Sequence, residues 1–155
     1  MDKFFELQFE IETACLLDCI HCSSANSRLL AKRQYSDEDI LRVLELFHGE
    51  TRVTLTGGEP LLYKHVFDLC KQISLKSPLN KIGIYTTGNL EKMRPIDEPM
   101  AHQLKALQVD ECYFSIYSTS VESHDTWTQK VGSFFNTIES VASLKKAGIS
   151  SKAHL

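Results

Sequence analysis

From Phe5 to Ile11 apolar residues alternate with Glu6, Gln8 and Glu10, the period of two that marks a strand. A helical period follows: Ser36 with Asp39 forms a capping-box pattern, and Ile40, Val43, Leu44 and Phe47 recur on one face before Gly49. The β-rich run Arg52 to Thr56 leads into Gly57-Gly58, and Val66, Leu69, Cys70 and Ile73 mark the buried stripe of a second helix stopped near Pro78. Ile82 to Thr86 predicts a third strand closed by Gly88, and Val109 to Tyr117 a fourth, with a weaker helix around Met100 to Leu107. Phe134 or Phe135, Ile138, Val141 and Leu144 form the last amphipathic stripe, Gly148 ends it, and a fifth strand begins at Ser150.

Strands alternating with helices about every 30 residues mean βαβ units and a parallel sheet with right-handed crossovers. Five strands are too few for a closed eight-stranded barrel. The expected fold is therefore α/β, with parallel (β/α) repeats forming an open, partial TIM-like barrel. Gln8 and Glu10 fit either solvent or the lumen of that barrel, with solvent preferred.

The 155 residues suit one domain, and no repeat or Gly/Ser/Pro-rich linker divides them. A net charge of -3 with no Lys/Arg run gives no pull towards nucleic acid. No apolar run approaches the roughly 20 residues of a membrane span, and the mixed start from Met1 to Glu12 is no signal peptide. Five cysteines, an odd number with three crowded between positions 15 and 22, argue for thiols in a reducing cytoplasm rather than disulfides.

Cys15, Cys19 and Cys22 follow the first strand at spacings of four and three, so they are able to converge on one centre. Three thiolates suit an iron-sulfur cluster with one iron left open. A zinc site is the alternative, its fourth ligand coming from His21, Cys70, Cys112 or a distant His. Cys70, on an apolar helical face, and Cys112, within a strand, read as core residues.

C-x3-C-x2-C after the first strand, with Leu55-Thr56-Gly57-Gly58-Glu59-Pro60 after the second, resembles the defining motif pair of the radical S-adenosylmethionine (radical SAM) superfamily. The resemblance implies that Cys15, Cys19 and Cys22 ligate a [4Fe-4S] cluster whose fourth iron binds S-adenosyl-L-methionine (SAM). It implies that Gly57, Gly58, Glu59 and Pro60 lie along the methionine moiety, with Glu59 accepting from its ammonium group. By themselves these four residues are an ordinary strand-to-helix turn. Thr86-Thr87-Gly88 is similar to the family's Thr-Asn-Gly, with Thr87 in place of Asn. Ser115-Ile116-Tyr117, His124-Asp125 and Gly132-Ser133-Phe134 resemble the branch with peptide-modifying and sulfatase-maturing members, although Gln129-Lys130 departs from the Arg-Gly usual there. Thr87, Ser115 and His21 are thus further candidates for cofactor contact, while His124 and Asp125 also read as a helix-capping or loop-fixing pair.

By the same resemblance, a reduced flavodoxin-like or ferredoxin-like donor supplies an electron, SAM is cleaved to a 5'-deoxyadenosyl radical, and the substrate, a peptide or protein, loses a hydrogen atom. An activase of a glycyl-radical enzyme is the nearest alternative. A zinc-stabilised binding module and a degenerate interaction protein are the non-catalytic ones. Residues 1–155 correspond to the N-terminal part of the family's core, without its last strand and helix or any auxiliary-cluster domain. Independently of the resemblance, the cysteine loop, Glu59, Thr86 to Gly88 and Ser115 to Tyr117 all fall at C-terminal strand ends, the ligand-binding edge of a parallel sheet.

Overall fold

The computed structural model describes residues 5–25, 35–48, 50–76 and 80–154. Strands β1 (Phe5–Glu12), β2 (Thr51–Gly57), β3 (Lys81–Thr86), β4 (Val109–Ser115) and β5 (Ser150–His154) form one sheet in sequential order, every neighbouring pair parallel. Helices α1 (Asp37–Glu45), α2 (Val66–Lys76), α3 (Glu98–Ala106), α4 (Val121–Thr128) and α5 (Ser133–Lys146) fill the connections. This is the expected open partial barrel.

Local signals set several boundaries. Ser36 and Asp39 make the reciprocal capping box at the start of α1, the Ser36 N–H donating to Asp39 Oδ2 at 2.8 Å. Asp97 caps α3, and Pro99 in its first turn favours the start. The expected ends of the first two helices at Gly49 and Pro78 lie outside the described residues. β4 stops at Ser115, two residues short of Tyr117.

The sheet's two faces differ in chemistry. Val53, Leu55, Ile82, Ile84, Cys112 and Phe114 are fully buried in the core cluster. The alternate positions, which share a face through the register Gln8↔Thr54↔Gly83↔Glu111, are polar. On that face Arg52 pairs with Asp110 and Glu111 at 3.1 Å each, and Lys152 also pairs with Glu111. Gln8 is exposed, as preferred, and it also borders the cavity at the strand ends. Alternation alone cannot tell water from a polar lumen, since both ask for hydrophilic side chains.

The last helix corrects a second expectation. Phe135 and Ile138 are 59% and 43% exposed, while Ser133, Thr137, Ser140 and Leu144 face inwards. The hydroxyls win that face because partners await them: Thr137 Oγ1 donates to the Thr87 carbonyl at 2.7 Å and Ser140 Oγ to the Gly88 carbonyl at 2.9 Å. A buried hydroxyl with its bond made is well tolerated, and here it ties α5 to the turn after β3.

No helix is predicted over Val121–Thr128, where His124 and Asp125 instead read as a capping or loop-fixing pair. Asp125 lies in α4 and caps α5: Oδ2 accepts from Gly132 N–H at 2.6 Å, and Oδ1 from Ser133 Oγ and Phe134 N–H at 2.9 Å each. Partial burial works against the Asp125 carboxylate, but these bonds prevail and hold its pKa below the ordinary aspartate value. A depressed native pKa contributes stability that is present above the unfolded value and is lost as pH falls through the native one. Asp125→Asn is therefore expected to lower stability at neutral pH by about 1 to 2 kcal/mol and to flatten this part of the acid limb. Urea melts of both proteins from pH 7 down to 3 provide the check, and parallel acid limbs count against the assignment.

Candidate functional site

The described C-terminal strand ends surround a cavity of about 840 Å³. Cys15, Cys19 and Cys22 border it, as do Gly57, Gly58, Thr87, Ser115 and His21. Of the sequence-derived site residues only Glu59 and Pro60 lie off its wall, both buried behind it.

The cysteine loop is fixed at both ends. At its start the Glu12 carboxylate accepts from the N–H groups of Thr13 and Ala14 at 2.8 and 2.9 Å. Gly58 N–H donates to the Glu12 carbonyl at 2.7 Å and Glu59 N–H to the Ala14 carbonyl at 2.8 Å. A Cβ on Gly57 would sit 2.1 Å from the Glu12 oxygen and one on Gly58 2.3 Å from that of Ala14, closer than real contacts allow. The glycines therefore let β2 approach the cysteine loop, a role that β2's strand pattern did not reveal. Further along, Asp18 and Ile20 donate N–H bonds to the carbonyls of Thr128 and Trp127 at 3.1 and 3.0 Å, gripping Cys19 from both sides.

The three loop cysteines are half-buried thiols on one wall, a soft donor set suited to iron-sulfur chemistry. Among the described residues no trio of His, Cys, Asp and Glu side chains is already gathered tightly enough to hold a metal ion. Cys70 and Cys112 are fully buried core residues, as expected. Burial pushes the Cys70 thiol up to about 12 and raises that of Cys112, which disfavours the thiolate a metal needs.

Glu59 is fully buried. Its Oε1 accepts from Thr86 Oγ1 at 2.8 Å and Leu61 N–H at 3.2 Å, and its Oε2 from Thr87 N–H and Oγ1 at 2.7 Å each. Burial raises the carboxyl's pKa, and the four donors oppose that rise. A carboxylate offers about four acceptor sites, and four protein donors meet it here. The arrangement locks the turn after β2 to the turn after β3, which sets Thr87 on the cavity wall.

An aromatic row flanks the cysteines. The His21 ring meets Tyr117 edge-on at 4.4 Å and Trp127 at 5.6 Å, and Tyr117 stacks on the fully buried His124 at 5.7 Å. His124 Nδ1 accepts the Tyr117 N–H at 3.3 Å and so fixes the turn after β4. Desolvation lowers the His124 pKa, favouring the neutral ring that accepts this bond.

Comparison with known proteins agrees with this geometry. The chain is 33% identical over 101 residues to GTP 3',8-cyclase of Pseudomonas savastanoi pv. phaseolicola, covering 60% of this chain and 30% of that protein. It is 24% identical over 143 residues to AdoMet-dependent heme synthase of Methanosarcina barkeri, covering 91% of this chain and 39% of that one. The solved structure of native anSMEcpe with bound AdoMet and Cp18Cys peptide shares the fold at TM-score 0.73 and 20% identity, over 97% of this chain and 42% of that chain. Methylornithine synthase (PylB) aligns with TM-score 0.73 at 15% identity, over 97% and 44%. The chain thus spans less than half the length of these relatives. Residues 10–155 match the radical SAM superfamily, and the chain belongs to that family of [4Fe-4S]- and S-adenosylmethionine-dependent enzymes.

Proposed function

We propose that residues 1–155 form one core domain of a radical SAM enzyme, in which Cys15, Cys19 and Cys22 hold the [4Fe-4S] cluster and the adjoining cavity takes SAM. The observation that carries this reading is that all three cysteines, Gly57-Gly58, Thr87, Ser115 and His21 border one cavity at the C-terminal edge of a parallel sheet. The three thiols share one wall, on a loop tied to β2 and α4. When bound, the cluster supplies one electron to SAM, giving the 5'-deoxyadenosyl radical that removes a substrate hydrogen atom. The chain's own residues position and shield: Gly57 and Gly58 bring β2 against the cysteine loop, Glu59 fixes Thr87 on the wall, and Leu17 and Trp127 limit access of water. No proton transfer by a side chain is needed for that first step.

A reduced flavodoxin-like or ferredoxin-like protein in the cytoplasm is the proposed electron source. Among the described residues no helix is long and apolar enough to cross a membrane. A peptide or protein substrate, expected from the motifs after β4, has the peptide bound to anSMEcpe in its favour, while the sequence relatives are named for GTP and heme. The cavity wall adds a chemical restriction: no Lys, Arg, Asp or Glu borders it among the described residues. The described wall instead offers the polar side chains Gln8, Thr56, Tyr85 and His154 from four different strands.

Anaerobic reconstitution of the chain with iron and sulfide tests the reading. The expected product is brown and carries about four irons and four sulfides, and on reduction with dithionite it converts SAM to methionine and 5'-deoxyadenosine. A colourless protein that retains only zinc overturns it in favour of a zinc-stabilised module.

A further inference from the structure

His124 is fully buried in α4, yet only half of its ring is satisfied. Nδ1 accepts the Tyr117 N–H at 3.3 Å, while Nε2 has no hydrogen-bond partner among the described residues. With Nδ1 as acceptor the neutral ring carries its hydrogen on Nε2, and a buried donor without a partner is destabilising. A leucine would pack against the Phe134 ring, which His124 meets edge-on at 5.5 Å, without that penalty. What the imidazole adds is the single bond to Tyr117.

That bond joins two parts of the cavity wall. Tyr117 stands two residues beyond the end of β4, and Ser115, Ile116 and Tyr117 all border the cavity. About one turn after His124, the carbonyls of Trp127 and Thr128 accept the N–H groups of Ile20 and Asp18 at 3.0 and 3.1 Å, with Cys19 between them. One helix therefore holds the middle cysteine at its C-terminal end and the turn after β4 at its centre. Tyr117 closes the link from the other side, its ring stacked on His124 at 5.7 Å and met edge-on by His21 at 4.4 Å.

We infer that His124 is a positioning residue for SAM: its Nδ1 bond presets the turn after β4 against the cysteine loop, so that one bound molecule meets both. The inference rests on the proposed binding of the cluster by Cys15, Cys19 and Cys22 and of SAM in the adjoining cavity. His124 does not itself border the cavity and acts through Tyr117. A ligand gripped from two walls binds more tightly when they are preset, since a loose wall must be ordered at the moment of binding.

The test is calorimetric SAM titration of the anaerobically reconstituted full chain and three variants at matched iron content. His124→Leu removes the acceptor and is expected to weaken SAM binding about tenfold, roughly the worth of one hydrogen bond in a site shielded from water. His124→Asn places an amide oxygen where Nδ1 stood and should recover most of that loss. His124→Gln carries the same amide one carbon further out, away from Tyr117, and should bind SAM as weakly as His124→Leu. A residue that only stabilised the fold would show no such split between Asn and Gln, so equal SAM affinity in those two overturns the inference even if His124→Leu fails to fold. Parent-like affinity in His124→Leu overturns it as well. A parent that binds no iron, or iron but no SAM, would instead strike at the proposed function.

Discussion

Replacing Cys15, Cys19 or Cys22 with alanine is expected to abolish iron binding in anaerobically reconstituted protein, each substitution alone being sufficient. A cluster held by three protein thiolates has no spare ligand, and within the described residues the next nearest thiols are sealed in the core. Cys70→Ala and Cys112→Ala should keep full iron content and lose only about 1 to 2 kcal/mol of stability, the usual cost of a small void in a packed interior. Iron and sulfide counts on all five variants, with urea melts of the apo proteins, separate the two classes. Iron loss confined to Cys70→Ala or Cys112→Ala would sink the assignment.

Glu59 yields the second large effect, because four protein donors meet its buried carboxylate. Glu59→Ala strips the acceptor from two N–H groups and two hydroxyls in a site closed to water, so we expect a loss of roughly 3 to 5 kcal/mol. Glu59→Gln keeps the shape but turns an NH2 towards existing donors, and should cost about 1 to 2 kcal/mol. A carboxylate that bound the methionine ammonium directly would give another pattern, in which Glu59→Gln keeps the parent's stability and loses SAM affinity at matched iron content. Thermal melts together with calorimetric SAM titration of the same samples decide between them. Unchanged stability in Glu59→Gln would refute the role of Glu59 as a clamp between the two turns.

Much of the architecture was legible because it depends on local period. The alternation in Phe5 to Ile11, the stripe Val66, Leu69, Cys70 and Ile73, and the capping box at Ser36 each specify one element without reference to the rest of the chain. α4 was not legible as a helix: Val121 and Trp127 are its only apolar residues, and the residues it buries are His124 and Thr128. Its stability comes from tertiary bonds, including the cap that Asp125 makes to α5 and the cysteine loop hung on its last carbonyls.

By itself the sequence determined the βα order, the parallel sheet and the placing of the cysteine triplet and the Gly-Gly turn at strand ends, because spacing and period are properties of neighbouring residues. Only the tertiary structure decided which surfaces those elements turn to one another. The polar face of β1 could serve water or a lumen, and Gln8 does both, exposed yet bordering the cavity that the neighbouring strands complete. The last helix buried its hydroxyls rather than Phe135 and Ile138 because Thr87 and Gly88 carbonyls stood opposite them. Glu59 became a buried clamp for the same reason: hydrogen-bond partners far apart in the chain meet only when the sheet brings its strand ends together, and no periodicity encodes them.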